Sequence, residues 1–126
     1  RIIPAALNRA IEHAKGTEIF VAKIPSFKVT DLAKAMATDA EFEEVGVRAG
    51  EKIHEIMITV EDSRKTYDFG DYFIIYPQVD WWDINRHYTE GGKRIENGFQ
   101  YSSDTNSDWL TVEQIQEELK KINVVI

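Results

Sequence analysis

Cysteine is absent from this 126-residue sequence. Disulfides, thiolate metal sites and cysteine nucleophiles are excluded by that alone. Small secreted domains lean on disulfides, so the composition points to a cytoplasmic protein. Basic charge is also scarce: 15 Lys and Arg against 22 Asp and Glu leave a formal net charge of −7. A chain of that sign has no field to draw nucleic acid or anionic lipid, so neither is expected as a partner. Long apolar runs are missing as well. The most prominent, at 19–22, 73–76 and 124–126, are far below the roughly 20 residues that cross a bilayer. The sequence opens Arg1-Ile2-Ile3-Pro4, without an initiator Met and without a charged-then-apolar leader, and is expected to be a piece of a longer chain. There is no internal repeat and no low-complexity tract.

What is present suffices for a core. Hydrophobic residues make up 43% of the chain, with three Trp, five Tyr and six Phe, which rules against disorder. The expected organisation is one small mixed α/β domain over residues 1–126. Pro4 suits the first turn of a helix whose apolar face is Leu7, Ala10, Ile11 and Ala14, and Gly16 closes it. Residues 18–22 read as a strand, broken by Pro25 and Ser26. Thr30 is placed as the cap of a second helix, with Asp31 in its first turn and Leu32, Ala33, Met36 and Ala37 as its inner face. Residues 42–47 are expected to form a strand through Phe42, Val45 and Val47, and 51–57 a short helix. A hairpin is expected over 66–76, bending at 68–71, followed by a loop over 77–100. Thr111 and Gln114 form a capping-box pattern opening a last helix. Ile115, Leu119 and Ile122 are its core face; Glu113, Glu117, Glu118, Lys120 and Lys121 are its solvated one.

The most informative stretch runs Val45-Gly46-Val47-Arg48-Ala49-Gly50-Glu51-Lys52-Ile53-His54-Glu55. Arg48 can present a planar fork to a phosphate or diphosphate. Gly50 permits close backbone approach, and Glu51 can accept hydrogen bonds from the vicinal hydroxyls of a sugar. The plain alternative is a surface turn with an Arg48–Glu51 salt bridge, worth little. His54 and Glu55, with Glu51 or His87, suggest a metal site, but the helical zinc pattern needs a second His where Ile58 stands; His54 is better read as packing at the surface or holding a loop by a hydrogen bond. Tyr101-Ser102-Ser103-Asp104-Thr105-Asn106 is dense in small polar groups, yet nothing orders a nucleophile triad there, and a self-stitching turn is the preferred reading. Trp81, Trp82 and Trp109 offer stacking faces, although packing is the commoner use of tryptophan.

Three ordered words carry a resemblance. The first is Gly16-Thr17-Glu18-Ile19-Phe20-Val21-Ala22-Lys23-Ile24-Pro25-Ser26-Phe27-Lys28, followed by Thr30-Asp31-Leu32-Ala33. The second runs from Gly46 to Glu55, and the third from Tyr101 to Asn106. Together they closely resemble the C-terminal, substrate-binding part of bacterial UDP-N-acetylglucosamine 4,6-dehydratases. These are lyases of capsular polysaccharide and flagellin-glycan synthesis in the extended short-chain dehydrogenase/reductase superfamily. The resemblance implies a nucleotide-sugar enzyme whose larger N-terminal Rossmann domain holds NAD(P) and the catalytic Tyr-x-x-x-Lys pair. It also implies a UDP-sugar substrate, with Arg48 on the diphosphate and Glu51 on the ribose beside Gly50, and assembly as a homo-oligomer. In two places this sequence departs from that family. Ala49 stands where Pro usually follows the Arg, which loosens the turn, and Ala22 stands where Pro commonly precedes the Ile-Pro-Ser. The larger departure is an absence. No Tyr-x-x-x-Lys occurs: the fourth residue after Tyr67, Tyr72 and Tyr88 is Asp71, Tyr76 and Gly92. The chain carries no Gly-rich dinucleotide loop, so no catalytic residue and no cofactor is assigned to it, and activity by this chain alone is not expected. The alternative is a non-enzymatic binding or oligomerisation module that keeps the family fold, with Trp81 and Trp82 at an interface.

Overall fold

In the computed structural model, residues 2–77 and 89–122 are described. Trp81, Trp82, His87, Tyr88 and the apolar run 124–126 lie outside them. The chain divides into two compact units, one of residues 1–24 and 56–102, the other of 25–55 and 103–126.

The first unit is organised by one strand. β4 (Tyr72–Ile75) and the following Tyr76 are five consecutive buried residues. Side chains alternate across a strand, so an unbroken apolar run requires cover on both faces. Phe73 and Ile75 cluster with Val21, Ile58 and Tyr101, with Ile95 and Phe99 packed against them. Tyr72, Ile74 and Tyr76 cluster on the opposite face with Ala6, supported by Phe20, Ala22, Tyr67 and Phe69. Antiparallel neighbours flank β4. β1 (Ile19–Ala22) pairs Val21 with Phe73 on one side, and β3 (Thr66–Asp68) pairs Tyr67 with Ile74 on the other. β5 (Lys93–Arg94) completes the sheet, in the order β1-β4-β3-β5. Its presence corrects the expectation of unbroken loop over 77–100: its two residues are polar and exposed, and only pairing with Tyr67 and Asp68 makes them a strand. α1 (Ile2–His13) lies against β1 and β4.

The hairpin is as expected, and its bend has a visible cause. Gly70 takes φ +90, the left-handed region that favours glycine. Its N–H donates to Asp68 Oδ1 at 2.8 Å. That carboxylate also holds Lys23 Nζ at 2.6 Å, and the same ammonium sits 4.4 Å from the Phe73 ring centroid. Phe69 stacks on Tyr72 with centroids 5.3 Å apart and lies so close to Gly92 that a Cβ there would come within 2.5 Å of the ring.

Residues 51–57 do not form the expected helix. β2 (Ile56–Ile58) instead pairs with β6 (Tyr101–Ser102), matching Ile56 to Ser102 and Ile58 to Tyr101. A β-branched run and a distant partner override the helical reading. The Tyr101 hydroxyl accepts from the Ile24 N–H and donates to the Ile24 carbonyl, each at 3.1 Å.

In the second unit α2 (Val29–Met36) and α3 (Val112–Lys121) pack together, with Gln116 Nε2 donating to the Ala35 carbonyl at 3.4 Å. The capping box forms at α3: Thr111 Oγ1 accepts from the Gln114 N–H, and Gln114 Oε1 from the Thr111 N–H. Ile115 is buried and Leu119 half-buried, with the named charges exposed as expected; Ile122, past the last turn, is 69% exposed. α2 begins one residue before Thr30, with Lys28 as its N-cap and no side-chain cap bond. Its buried residue is Ala35, and Met36 is exposed. The expected strand at 42–47 is absent: residues 41–48 have no regular structure, every residue from 41 to 57 is exposed, and Gly46 at φ +80 breaks an extended path. The alternation of Phe42, Val45 and Val47 finds no partner strand among the described residues. In the first unit the face expected for α1 is similarly displaced: Leu7 and Ile11 are exposed while Ala6 is buried.

Two measurements test this account. Tyr101→Phe removes a buried hydroxyl that serves both polar groups of Ile24, and should cost about 1–3 kcal/mol in urea unfolding. Burial, reinforced by the charges of Glu18, Tyr67 and Tyr72, pushes the Tyr76 phenol from 10.0 up to about 12. The folded state therefore keeps this proton where the unfolded chain loses it. The resulting stabilisation is complete below about pH 10 and is lost as pH rises toward about 12. Tyr76→Phe should flatten the alkaline decline of the urea midpoint; an unchanged slope would contradict this assignment.

Candidate functional site

Arg48, Ala49, Gly50 and Glu51 form a single turn in the second unit. The Glu51 N–H donates to the Arg48 carbonyl at 3.0 Å, closing a four-residue β-turn. Gly50, at the third position, has φ +86, the value a type II turn demands there. The turn is closed a second time by a side chain: the Arg48 N–H donates to Glu51 Oε2 at 2.8 Å. The Arg48–Glu51 association is thus made through the arginine backbone. No side-chain ion pair joins the two among the described salt bridges. Consequently the guanidinium fork is not spent on its neighbour, while one Glu51 oxygen is engaged and the other is left for a further donor. Both residues are exposed. Around Gly50 nothing lies within 4 Å of a hypothetical Cβ, so the glycine is required by its backbone angle and not by crowding.

The metal reading fares differently. Among the described residues no three His, Asp or Glu side chains are grouped to hold a metal ion, and His87 is outside them. His54 does hold a loop, as one of its sequence readings had it: its Nδ1 lies 3.3 Å from Ser103 Oγ. That Oγ also accepts the Glu55 N–H at 3.2 Å, and the Ser103 N–H donates to the Glu55 carbonyl at 2.9 Å. The polar segment after Tyr101 forms the expected turn, over residues 103–105, and Ser103 also stitches it to remote chain. Further along, Asn106 Nδ2 donates to Ser26 Oγ at 3.0 Å. Ser26 bonds by its backbone to Asp108 and Leu110 at 2.8 Å each. Trp109 is drawn into the same structure, its Nε1 donating to the Asn106 carbonyl at 2.7 Å. These remote partners lie 48 to 80 positions away, which is why the sequence singles out residues 101–106 without showing what Ser103 and Asn106 hold.

A nicotinamide dinucleotide does not fit these residues. Its diphosphate is held where a parallel strand runs through a Gly-rich turn into a helix. The described strands pair antiparallel throughout, and the link from β1 to α2 contains no glycine.

Proline favours the second position of a type II turn, the place of Ala49, and fixing φ there lowers the entropy of the unfolded chain. Ala49→Pro should stabilise the protein by about 0.4–1 kcal/mol and slow amide exchange of Glu51. Faster exchange at Glu51 would mean the turn is of another type.

Residues 5–77 match the model of a family described as "Polysaccharide biosynthesis protein". The chain is 42% identical over 111 residues to a UDP-N-acetylglucosamine 4,6-dehydratase (inverting) of Campylobacter jejuni, a match covering 84% of this chain and 33% of that protein. It is 34% identical over 122 residues to a UDP-glucose 4-epimerase of Rickettsia canadensis, covering 92% and 35%. The chain thus spans about a third of the length of the curated relatives it matches. The crystal structure of Pen from Bacillus thuringiensis shares the fold with TM-score 0.71 at 24% identity, covering 94% of this chain and 35% of that one. With the family model spanning more than half of its residues, including the Arg48–Glu51 turn, this mixed α/β chain belongs to the polysaccharide biosynthesis protein family.

Proposed function

We propose that this chain is the UDP-sugar-binding portion of a nucleotide-sugar 4,6-dehydratase of the UDP-N-acetylglucosamine class, acting in cytoplasmic polysaccharide biosynthesis. The observation that carries the proposal is the Arg48–Glu51 turn, which closes on backbone bonds and leaves the guanidinium for a ligand. Arg48 offers parallel N–H donors to diphosphate oxygens. Glu51 offers its second oxygen to ribose hydroxyls, and Gly50 keeps the turn open to close approach. Both groups of relatives are named for UDP-sugars although their reactions differ, so recognition of the UDP handle is the property common to them. The 42% identity to the dehydratase, against 34% to the epimerase, favours the dehydratase. In this reading the chain supplies binding and orientation. An N-terminal Rossmann domain of the same enzyme is its partner, and that domain, with NAD(P), performs the hydride chemistry.

Titration of UDP into the full 126-residue chain, followed by amide chemical shifts, should move residues 48–51. A charge-assisted hydrogen bond is worth about 1.5–3 kcal/mol. Arg48→Gln should therefore weaken UDP by roughly 10- to 100-fold while changing uridine binding little. Glu51→Gln keeps an acceptor for the Arg48 N–H and should weaken UDP and uridine by a similar, smaller factor. Unmoved amides at 48–51, or UDP affinity unchanged in Arg48→Gln, would overturn the assignment.

A further inference from the structure

The turn that carries Arg48 and Glu51 sits in a segment with little else to hold it. Residues 41–55 are all exposed, without helix or strand. On the N-terminal side, the nearest described backbone bond to the body of the unit is Ala40 N–H to the Ala37 carbonyl at 3.1 Å, eight residues before Arg48. On the C-terminal side the chain is fastened at Glu55, four residues after Glu51, and the fastening is Ser103. Two bonds join the pair reciprocally, Ser103 N–H to the Glu55 carbonyl at 2.9 Å and Glu55 N–H to Ser103 Oγ at 3.2 Å. A third contact, His54 Nδ1 to Ser103 Oγ at 3.3 Å, fixes the residue before. All these residues belong to one unit.

We propose that Ser103 is a positioning residue for the UDP site, its hydroxyl latching His54 and Glu55 so that the Arg48–Glu51 turn is presented in one place. The inference rests on the UDP reading above. Its physical basis is tether length. A chain spans at most about 3.5 Å per residue, so four residues let Glu51 wander far less from Ser103 than eight let Arg48 wander from Ala40. The hydroxyl has the inventory for both partners: one lone pair takes the Glu55 N–H, and either its proton or its second lone pair meets His54 Nδ1, according to the ring's tautomer. A ligand bound by a loop held in advance avoids the entropy of ordering it. The residue lies outside the family-matched stretch 5–77, and none of its hydroxyl's partners is nearer than 48 positions in sequence.

The test uses the full chain and the variants Ser103→Ala, Ser103→Thr and His54→Ala. Without ligand, Ser103→Ala should raise Glu55 amide exchange about tenfold and shift the His54 ring nitrogen resonances. With UDP, Ser103→Ala should weaken binding about three- to tenfold. Ser103→Thr, which keeps the hydroxyl, should bind within about twofold of wild type, and His54→Ala should fall between. Should Ser103→Ala not fold, Ser103→Cys, a poorer hydrogen-bonding group of similar size, carries the same expectation. Wild type that shifts at 48–51 with UDP while Ser103→Ala binds equally well sinks the positioning role alone. Failure of Ser103→Thr to restore affinity would make the effect packing and not a hydroxyl latch. Wild type that ignores UDP sinks the reading beneath it, and this inference with it.

Discussion

The first unit depends on burying one strand from both sides. Tyr72 to Tyr76 is a continuous apolar stretch in a sheet whose strands are otherwise mixed in character, and each of its five residues is almost free of solvent. That constraint orders the rest. Phe73 and Ile75 need a lower layer, which Ile58 and Tyr101 supply from the β2–β6 pair. The tyrosine face needs a cover thin enough to approach the sheet, and α1 meets it through Ala6. Three of the strand's side chains in this stretch are tyrosine or phenylalanine, so much of the energy is aromatic area, arranged as tilted and stacked pairs such as Phe73–Tyr101 at 5.3 Å. A polar residue at any of the five positions would lose that area and strand a desolvated group.

How much of this was legible follows from how local each determinant is. The hairpin could be read because the turn residues, the flanking β-formers and the bend glycine all lie within a dozen positions. α3 could be read because Thr111 and Gln114 cap it reciprocally within one turn. The helix expected at 51–57 failed because its competitor, Tyr101–Ser102, lies more than forty residues away, and β pairing is decided by context more than by propensity. The strand expected at 42–47 failed for the converse reason, a strand-like pattern without a ladder to join. α1 shows a third limit. Its apolar stripe was real in sequence, but the surface it buries here is centred on Ala6, one position round the helix from Leu7, because a small residue permits closer packing. The Arg48–Glu51 pair was legible as a pair; that it closes by backbone bonds and leaves the guanidinium uncommitted was not.

This difference bears on recognition. A surface salt bridge between Arg48 and Glu51 would have been a rival to any ligand, since a phosphate would first have to displace a carboxylate. With the carboxylate held by an N–H instead, the backbone of the arginine makes the turn and its guanidinium takes no part in it. Gly50 makes the arrangement possible. Its left-handed backbone is what this form of the turn uses to bring the Glu51 N–H to the Arg48 carbonyl. Ala49 lets the turn form without enforcing it, so rigidity must come from outside the four residues, and the serine at the far end of the segment is where the fold provides it.

Charge completes the argument. Around Arg48 and Lys52 the exposed segment carries Glu41, Glu43, Glu44, Glu51 and Glu55, in a chain whose net charge is already −7. A diphosphate approaching from solution meets a field of its own sign, so long-range steering does not assist it. Within about 10 Å, where salt no longer screens, the balance is set by contact geometry: one planar fork on two phosphate oxygens, with the nearest carboxylate already tied into the turn. A site of this kind gains selectivity at the expense of association rate. On the proposed reading, it would reject anions that do not also satisfy the second oxygen of Glu51, and it would lean on the placement of a single guanidinium. In so acidic a segment a displaced arginine has no second cation of its kind to take over, which is why the hydrogen bonds that hold the loop matter as much as the group that would touch the ligand.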